Sequence, residues 1–188
     1  MPRFEGILVT WNPHLNTSAA GAVIEKDTIN LDIYHPSDSA MNLQGHPKFT
    51  FSLTDDPSLF YKAALTGSNK PDFQEIPEDN MERHAGFYYP KDASVIYCCK
   101  VVDHNEYKIQ DQYGTSVISK IKGTVVKKIG AGEFIQRETP SVDAMVYATR
   151  IPLTHGEQKE MLKEKIYKTL ENQEDEVAKK ILDYIEGF

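Results

Sequence analysis

Strand-forming and helix-forming patterns divide this chain cleanly. β-Branched and aromatic runs broken by turn residues fill residues 4–65 and 94–129, and a helical spacing of apolar positions takes over from Thr139. Ile7 to Trp11 reads as one strand, and Ala19 to Ile24 with Thr28 to Tyr34 reads as a hairpin around Lys26-Asp27. Ser37 is placed to cap a short helix that Gly45 stops, and Pro47 leads into a strand from Lys48 to Leu53. Asp56, followed by Pro57 at the first helical position, predicts a helix through Leu65 that ends near Gly67.

Ser68 to Tyr89 is rich in Pro, Asn, Asp and Glu and has no period, which predicts a long surface loop or a lid. Strand character returns in S-V-I-Y-C-C-K-V-V, with a turn expected near His104-Asn105. Tyr107 to Gln112 and V-I-S-K-I-K-G-T-V-V-K-K-I follow, closed by Gly130-Ala131-Gly132. Thr139-Pro140 opens a helix through Ala148, Pro152 interrupts, and Thr154 with Glu157 has capping-box spacing for the next helix. Leu162, Ile166 and Leu170, then Val177, Ile181 and Ile185, form the apolar stripes of two final helices. Glu164 with Lys168 and Glu176 with Lys180 stand four apart on the wet side. Strands followed by helices, without β–α alternation, indicate an α+β fold.

Composition narrows the function. A chain of 188 residues suits one domain with an appendage, large enough to bury roughly 70% of its unfolded surface. Its 28 acidic against 21 basic residues give a net charge of −7, which disfavours a non-specific nucleic-acid or anionic-membrane binder. No apolar run approaches the ~20 residues of a membrane span, and the N-terminus lacks signal-peptide character, so a cytoplasmic protein is expected. Cys98 and Cys99 are adjacent in a strand-like run and point to opposite faces. They are expected to be two reduced structural thiols.

Several chemistries have no residues to carry them. Gly130 and Gly132 lack the third glycine of a dinucleotide fingerprint, and no phosphate-binding loop or Gly-x-Ser-x-Gly elbow is present. The six histidines are scattered, without the spacing of a zinc site. Asp55-Asp56 could ligate magnesium, but a capped helix start beside Pro57 is the commoner use of that pair.

What remains is a set of residues suited to a phosphorylated, flat ligand. Ser37, Ser39 and Asn42 crowd the start of a short helix, where free backbone N–H groups and the helix dipole favour an anion. A plain N-cap role for Ser37 is the alternative. His35, Lys48, Arg137 and Arg150 are the candidates to offset a dianion. The run Thr17-Ser18-Ala19-Ala20-Gly21 has no bulky side chain and could let a planar ring approach the backbone, although tight turns use the same residues.

The order E-G-I-L-V-T, S-A-A-G-A-V, S-D-S-A-M-N-L, T-D-D-P-S-L-F-Y-K-A-A-L and V-D-A-M-V-Y-A-T-R-I resembles a mostly archaeal family catalogued as domain of unknown function 447. The resemblance implies a split β-barrel of the flavin-reductase type over residues 1–138, with a helical segment, 139–188, packed on it. It further implies bound FMN and a homodimer. The cofactor residues it points to are Thr17, Ser18, Ala20, Gly21, His35, Ser37, Ser39, Asn42, Arg137 and Arg150. Such a protein would be a flavin-dependent oxidoreductase, with NAD(P)H or a redox protein as a partner. A non-catalytic flavin carrier, or a dimeric scaffold without cofactor, is the alternative. The family tends to have Pro where this chain has Ala20, and Thr where Ala40 stands. Loss of one hydroxyl donor to phosphate weakens binding by about 1.5–3 kcal/mol.

Overall fold

Six strands whose side chains alternate between two faces close on themselves in a computed structural model, which describes residues 3–12, 14–35, 37–65, 76, 78–111, 114–130 and 139–188. They are β1 (Arg3–Trp11), β2 (Leu15–Glu25), β3 (Thr28–Tyr34), β4 (Lys48–Leu53), β7 (Val95–Asp111) and β8 (Gly114–Ile129). The barrel runs β1-β2-β3-β8-β7-β4, antiparallel throughout, and β4 pairs back onto β1. A separate two-stranded hairpin joins β5 (Met81–His84) to β6 (Phe87–Pro90).

The pleat sorts the core. Leu8, Leu31, Ile33, Phe49, Phe51 and Ile121 point into the barrel, whereas Ile7 and Val9 point out of it. A barrel this small is filled by its own side chains. Gly6 and Gly123 make room for the largest of them: an added Cβ would stand 2.6 Å from the Phe51 ring and 2.5 Å from the Phe49 ring. Each ring is fully buried, and burying such a side chain contributes about 1.5–3 kcal/mol.

Five helices complete the fold: α1 (Asp38–Gly45), α2 (Pro57–Ala64), α3 (Pro140–Ala148), α4 (Gly156–Leu170) and α5 (Glu176–Glu186). Helix α1 packs against β1, β2 and β3, and its Ala40 and Leu43 join the barrel core. Helices α2 to α5 build a second core with Met145, Ile166, Ile181 and Ile185 over the outer residues Ile7 and Val9. The final helices carry their stripes as expected, and Lys180 reaches Glu176 at 3.9 Å.

Three expectations are corrected. The stretch expected as a loop or lid has order in its second half: residues 81–90 form the β5–β6 hairpin, which packs on β4 and buries Phe87 and Tyr89. Its turn uses Ala85 and Gly86, both with positive φ (49° and 80°), and alanine gives little sequence warning of that conformation. Second, no turn forms at His104-Asn105. Strand β7 continues to Asp111, which pairs with Gly114, and a register shift between Val101 and Asp103 takes up the irregularity. Third, Thr154 is not the cap of α4. Its hydroxyl donates to the carbonyls of Arg150 and Ile151 at 3.3 and 3.2 Å, and His155 takes the cap position.

Cys98 and Cys99 are buried and free, with a register shift between them. Burial pushes the Cys99 thiol far up from its ordinary range, and the Cys98 thiol up in spite of nearby Lys127. Neither suits thiolate chemistry. Among the described residues no helix is long and apolar enough to cross a membrane, and no cluster of metal-ligating side chains occurs.

Candidate functional site

The first turn of α1 and the middle of β2 meet at one end of the barrel. Ser37 is extended at the N-cap, and its Oγ accepts from the N–H of Ala40 at 3.2 Å. The first intrahelical bond runs from Met41 N–H to the Ser37 carbonyl. Helical geometry therefore leaves the N–H groups of Asp38 and Ser39 without an intrahelical acceptor. These are the donors an anion would use. The exposed carboxylate of Asp38 in the same turn opposes one.

Behind that turn, Ser39 is tied to Asn16 and Ser18 of β2, and Asn42 to Thr10 and His14. Asn16 Nδ2 donates to Ser39 Oγ at 2.8 Å, and Ser18 Oγ lies 2.9 Å from Ser39 Oγ. Asn42 Nδ2 donates to Thr10 Oγ1 at 3.0 Å and to the His14 carbonyl at 3.1 Å. Ser39 and Asn42 are buried, so they fix α1 against β1 and β2, while Ser18 and Ser37 stay half-buried and closer to solvent. Asn16 has no special motif, but it stands two residues before Ser18 on the same strand face, an alternation that could have revealed it.

The run Thr17 to Gly21 splits across the two faces of β2. Ser18 and Ala20 are on the face of Leu8, which points into the barrel; Thr17 and Ala19 are on the face of Val9 and Ile7, towards the helices. Ser18, Ala19 and Ala20 remain half-buried. Gly21 is covered: an added Cβ would collide with the Arg3 guanidinium, which pairs with Glu5 at 3.4 Å.

His35, two residues before the cap, belongs to a second polar chain. Its Nε2 is 2.6 Å from Ser119 Oγ, and His104 Nε2 reaches the same oxygen at 2.9 Å. Glu106 Oε1 lies 3.7 Å from His35 Nε2 and accepts from Gln44 Nε2 of α1 at 3.0 Å. Ser119 is fully buried.

The other candidates sit elsewhere. Lys48 lies over the Phe87 ring, 5.4 Å from its centroid. Arg150 follows α3 in the helical layer, its N–H donating to the Tyr147 carbonyl. Arg137 lies outside the described residues. The structure thus brings Ser18, His35, Ser37, Ser39 and Asn42 to one end of the barrel, whereas Arg150 belongs to the helical layer.

The match to known proteins follows the same residues. The N-terminal domain of the family described as protein of unknown function (DUF447) matches residues 4–128. The chain belongs to the DUF447 family. An FMN-bound DUF447 protein from Methanosarcina mazei has the same fold, with 18% identity, a TM-score of 0.71, and coverage of 97% of this chain and 93% of that one. A flavin reductase domain protein from Arthrobacter sp. FB24 shares 12% identity at a TM-score of 0.54, over 69% of this chain and 78% of the other. Flavoredoxin from Methanosarcina acetivorans shares 10% identity at 0.52, over 71% and 72%. This DUF447 chain therefore has the split β-barrel of flavin-reductase-like proteins, with helices added.

Proposed function

We propose that this DUF447 protein binds FMN with its phosphate at the start of α1 and works as a flavoprotein of oxidoreductase character. The observation that carries the reading is the convergence of Ser18, Ser37 and Ser39, with the N–H groups of Asp38 and Ser39, on one half-buried turn. The family supports it, since its Methanosarcina mazei relative is FMN-bound. Residues 1–138 serve as the cofactor-bearing barrel and 139–188 as its helical cover.

The residues present fit the group. Ser37 and the two N–H groups would hold the phosphate, with Ser18 beside them and His35, two residues before the cap, as a group able to carry positive charge. Ala19 and Ala20 leave the middle of β2 bare enough for a ring to approach. FMN supplies hydride and electron chemistry when bound; the chain supplies position. NAD(P)H or a redox protein is the donor this reading requires, and the flavin reductase domain among the structural relatives supports that class.

The working unit of the proposal is a homodimer. The barrel interior is filled, so a flat ring needs a second wall from outside. Tyr34 and Tyr107 face solvent across Ile118, 44% and 38% exposed, and offer an apolar face to a second copy. Two buried free thiols fit a reducing cytoplasm. The test is the absorption spectrum of the purified protein, with mass spectrometric identification of the chromophore released on denaturation. FMN is expected. A colourless protein that takes up no added FMN overturns the reading.

A further inference from the structure

We propose that Ser119 and His104 are positioning residues that order the ring of His35 beside the phosphate turn. The inference rests on the FMN reading above and extends it to two residues on the β7–β8 pair. The argument is a count of protons. Ser119 Oγ stands 2.6 Å from His35 Nε2 and 2.9 Å from His104 Nε2, but its hydroxyl carries one proton. Its oxygen could accept from both rings, but among the described residues no third group takes the buried O–H, so it donates to one imidazole and accepts from the other: one ring presents Nε2–H, the other a bare Nε2.

Glu106 decides the direction. Its Oε1 is 3.7 Å from His35 Nε2, where a carboxylate favours a proton on that nitrogen and repels a lone pair. Gln44 of α1 donates to the same oxygen at 3.0 Å and keeps the carboxylate in place. The chain therefore runs from His35 Nε2–H to Ser119 Oγ, and from Ser119 O–H to His104 Nε2. His104 is left as the Nδ1–H tautomer. Ser119 is fully buried, so a broken chain leaves a donor or acceptor without water to replace its partner.

With Nε2–H spent on Ser119, the other nitrogen of His35 can donate to an anion two residues away at Ser37 once the ring carries its second proton, the form an anion favours. Histidines that bind ligands are commonly oriented this way, by the bond made at the opposite nitrogen. Among the described residues, the titratable groups in contact with His35 and Ser119 are Glu106 and His104, both from β7.

Long-range proton–nitrogen NMR of the full chain, recorded without flavin, reads the tautomers directly. His104 is expected as Nδ1–H, and in Ser119→Ala that preference should vanish. The same variant should lower the ratio of FMN to riboflavin affinity, by calorimetry, about tenfold, the size of one hydrogen bond to a charged group. His104→Gln, whose carbonyl can still accept from Ser119, should restore most of the ratio, whereas His104→Ala should not. His104 found as Nε2–H in the wild type overturns the chain, whatever the flavin does. Expected tautomers with an FMN-to-riboflavin ratio unmoved by Ser119→Ala overturn its role at the phosphate. Tautomers as expected in a wild type that prefers neither flavin overturn the cofactor reading instead.

Discussion

Ser18 of β2 and Ser39 of α1 hold their hydroxyl oxygens 2.9 Å apart, and Asn16 donates to the same Ser39 oxygen at 2.8 Å. A helix of eight residues has little stability of its own, so this contact and the Asn42–Thr10 bond fix where its first turn points. Ser39→Ala removes the acceptor of a buried amide, which costs about 1–3 kcal/mol. Urea denaturation should show that loss, and a change below a few tenths would mean that α1 is held by Ala40, Leu43 and the Asn42 bonds without help from Ser39.

Ser37→Ala tests the other side of the turn. The N-cap is worth about 1 kcal/mol of stability, but the larger effect is expected on the ligand. FMN affinity should fall about tenfold if the hydroxyl also reaches phosphate, while riboflavin, which has no phosphate, should bind as before. Equal losses for both flavins would place the phosphate somewhere else.

Gly123 is required by Phe49 rather than by any turn. Gly123→Ala drives a methyl to 2.5 Å from a ring that is fully buried, and overpacking of this kind costs about 1–3 kcal/mol. Gly123→Ala combined with Phe49→Leu should recover part of the loss. A single variant as stable as the wild type would mean that the ring has room to move.

Burial raises the Tyr184 hydroxyl from 10.0 to about 12. The protonated form is the one the fold favours, so its contribution is complete below the unfolded value and is lost as pH climbs from 10.0 to about 12. Stability of the wild type should therefore fall more steeply across that window than stability of Tyr184→Phe, which has no proton to lose. Parallel curves from denaturation at each pH would show that the hydroxyl ionises alike in both states.

Local signals carried much of the fold. The Lys26-Asp27 turn, the Ser37 cap, Asp56-Pro57 and the stripes of α4 and α5 are each decided by residues close in sequence, and each stands where its pattern put it. The β5–β6 hairpin was hidden because its strands are four residues long and Ala85 holds a conformation that alanine seldom takes. The run through His104-Asn105 looked like a turn because Asn and Asp also satisfy each other within a strand: Asn105 donates to Asp103 at 2.9 Å. At the site, Ser37 and Ser39 were visible as a helix start. Ser119 was not, since only the pairing of β8 with β3 and β7 brings it between His35 and His104, over separations of 84 and 15 residues.

Trp11 is the chain's one tryptophan. It lies between the β5–β6 hairpin and the end of α1, with Tyr88, His46 and Phe87 centred 5.4, 5.6 and 5.9 Å from it. Its emission is thus a built-in optical gauge of the place where hairpin, α1 and helical core meet. When the hairpin lifts, the indole passes from the Tyr88 and Phe87 rings to solvent and its spectrum shifts red, and because Trp11 also packs against the helical core, loosening of that layer reaches the same signal.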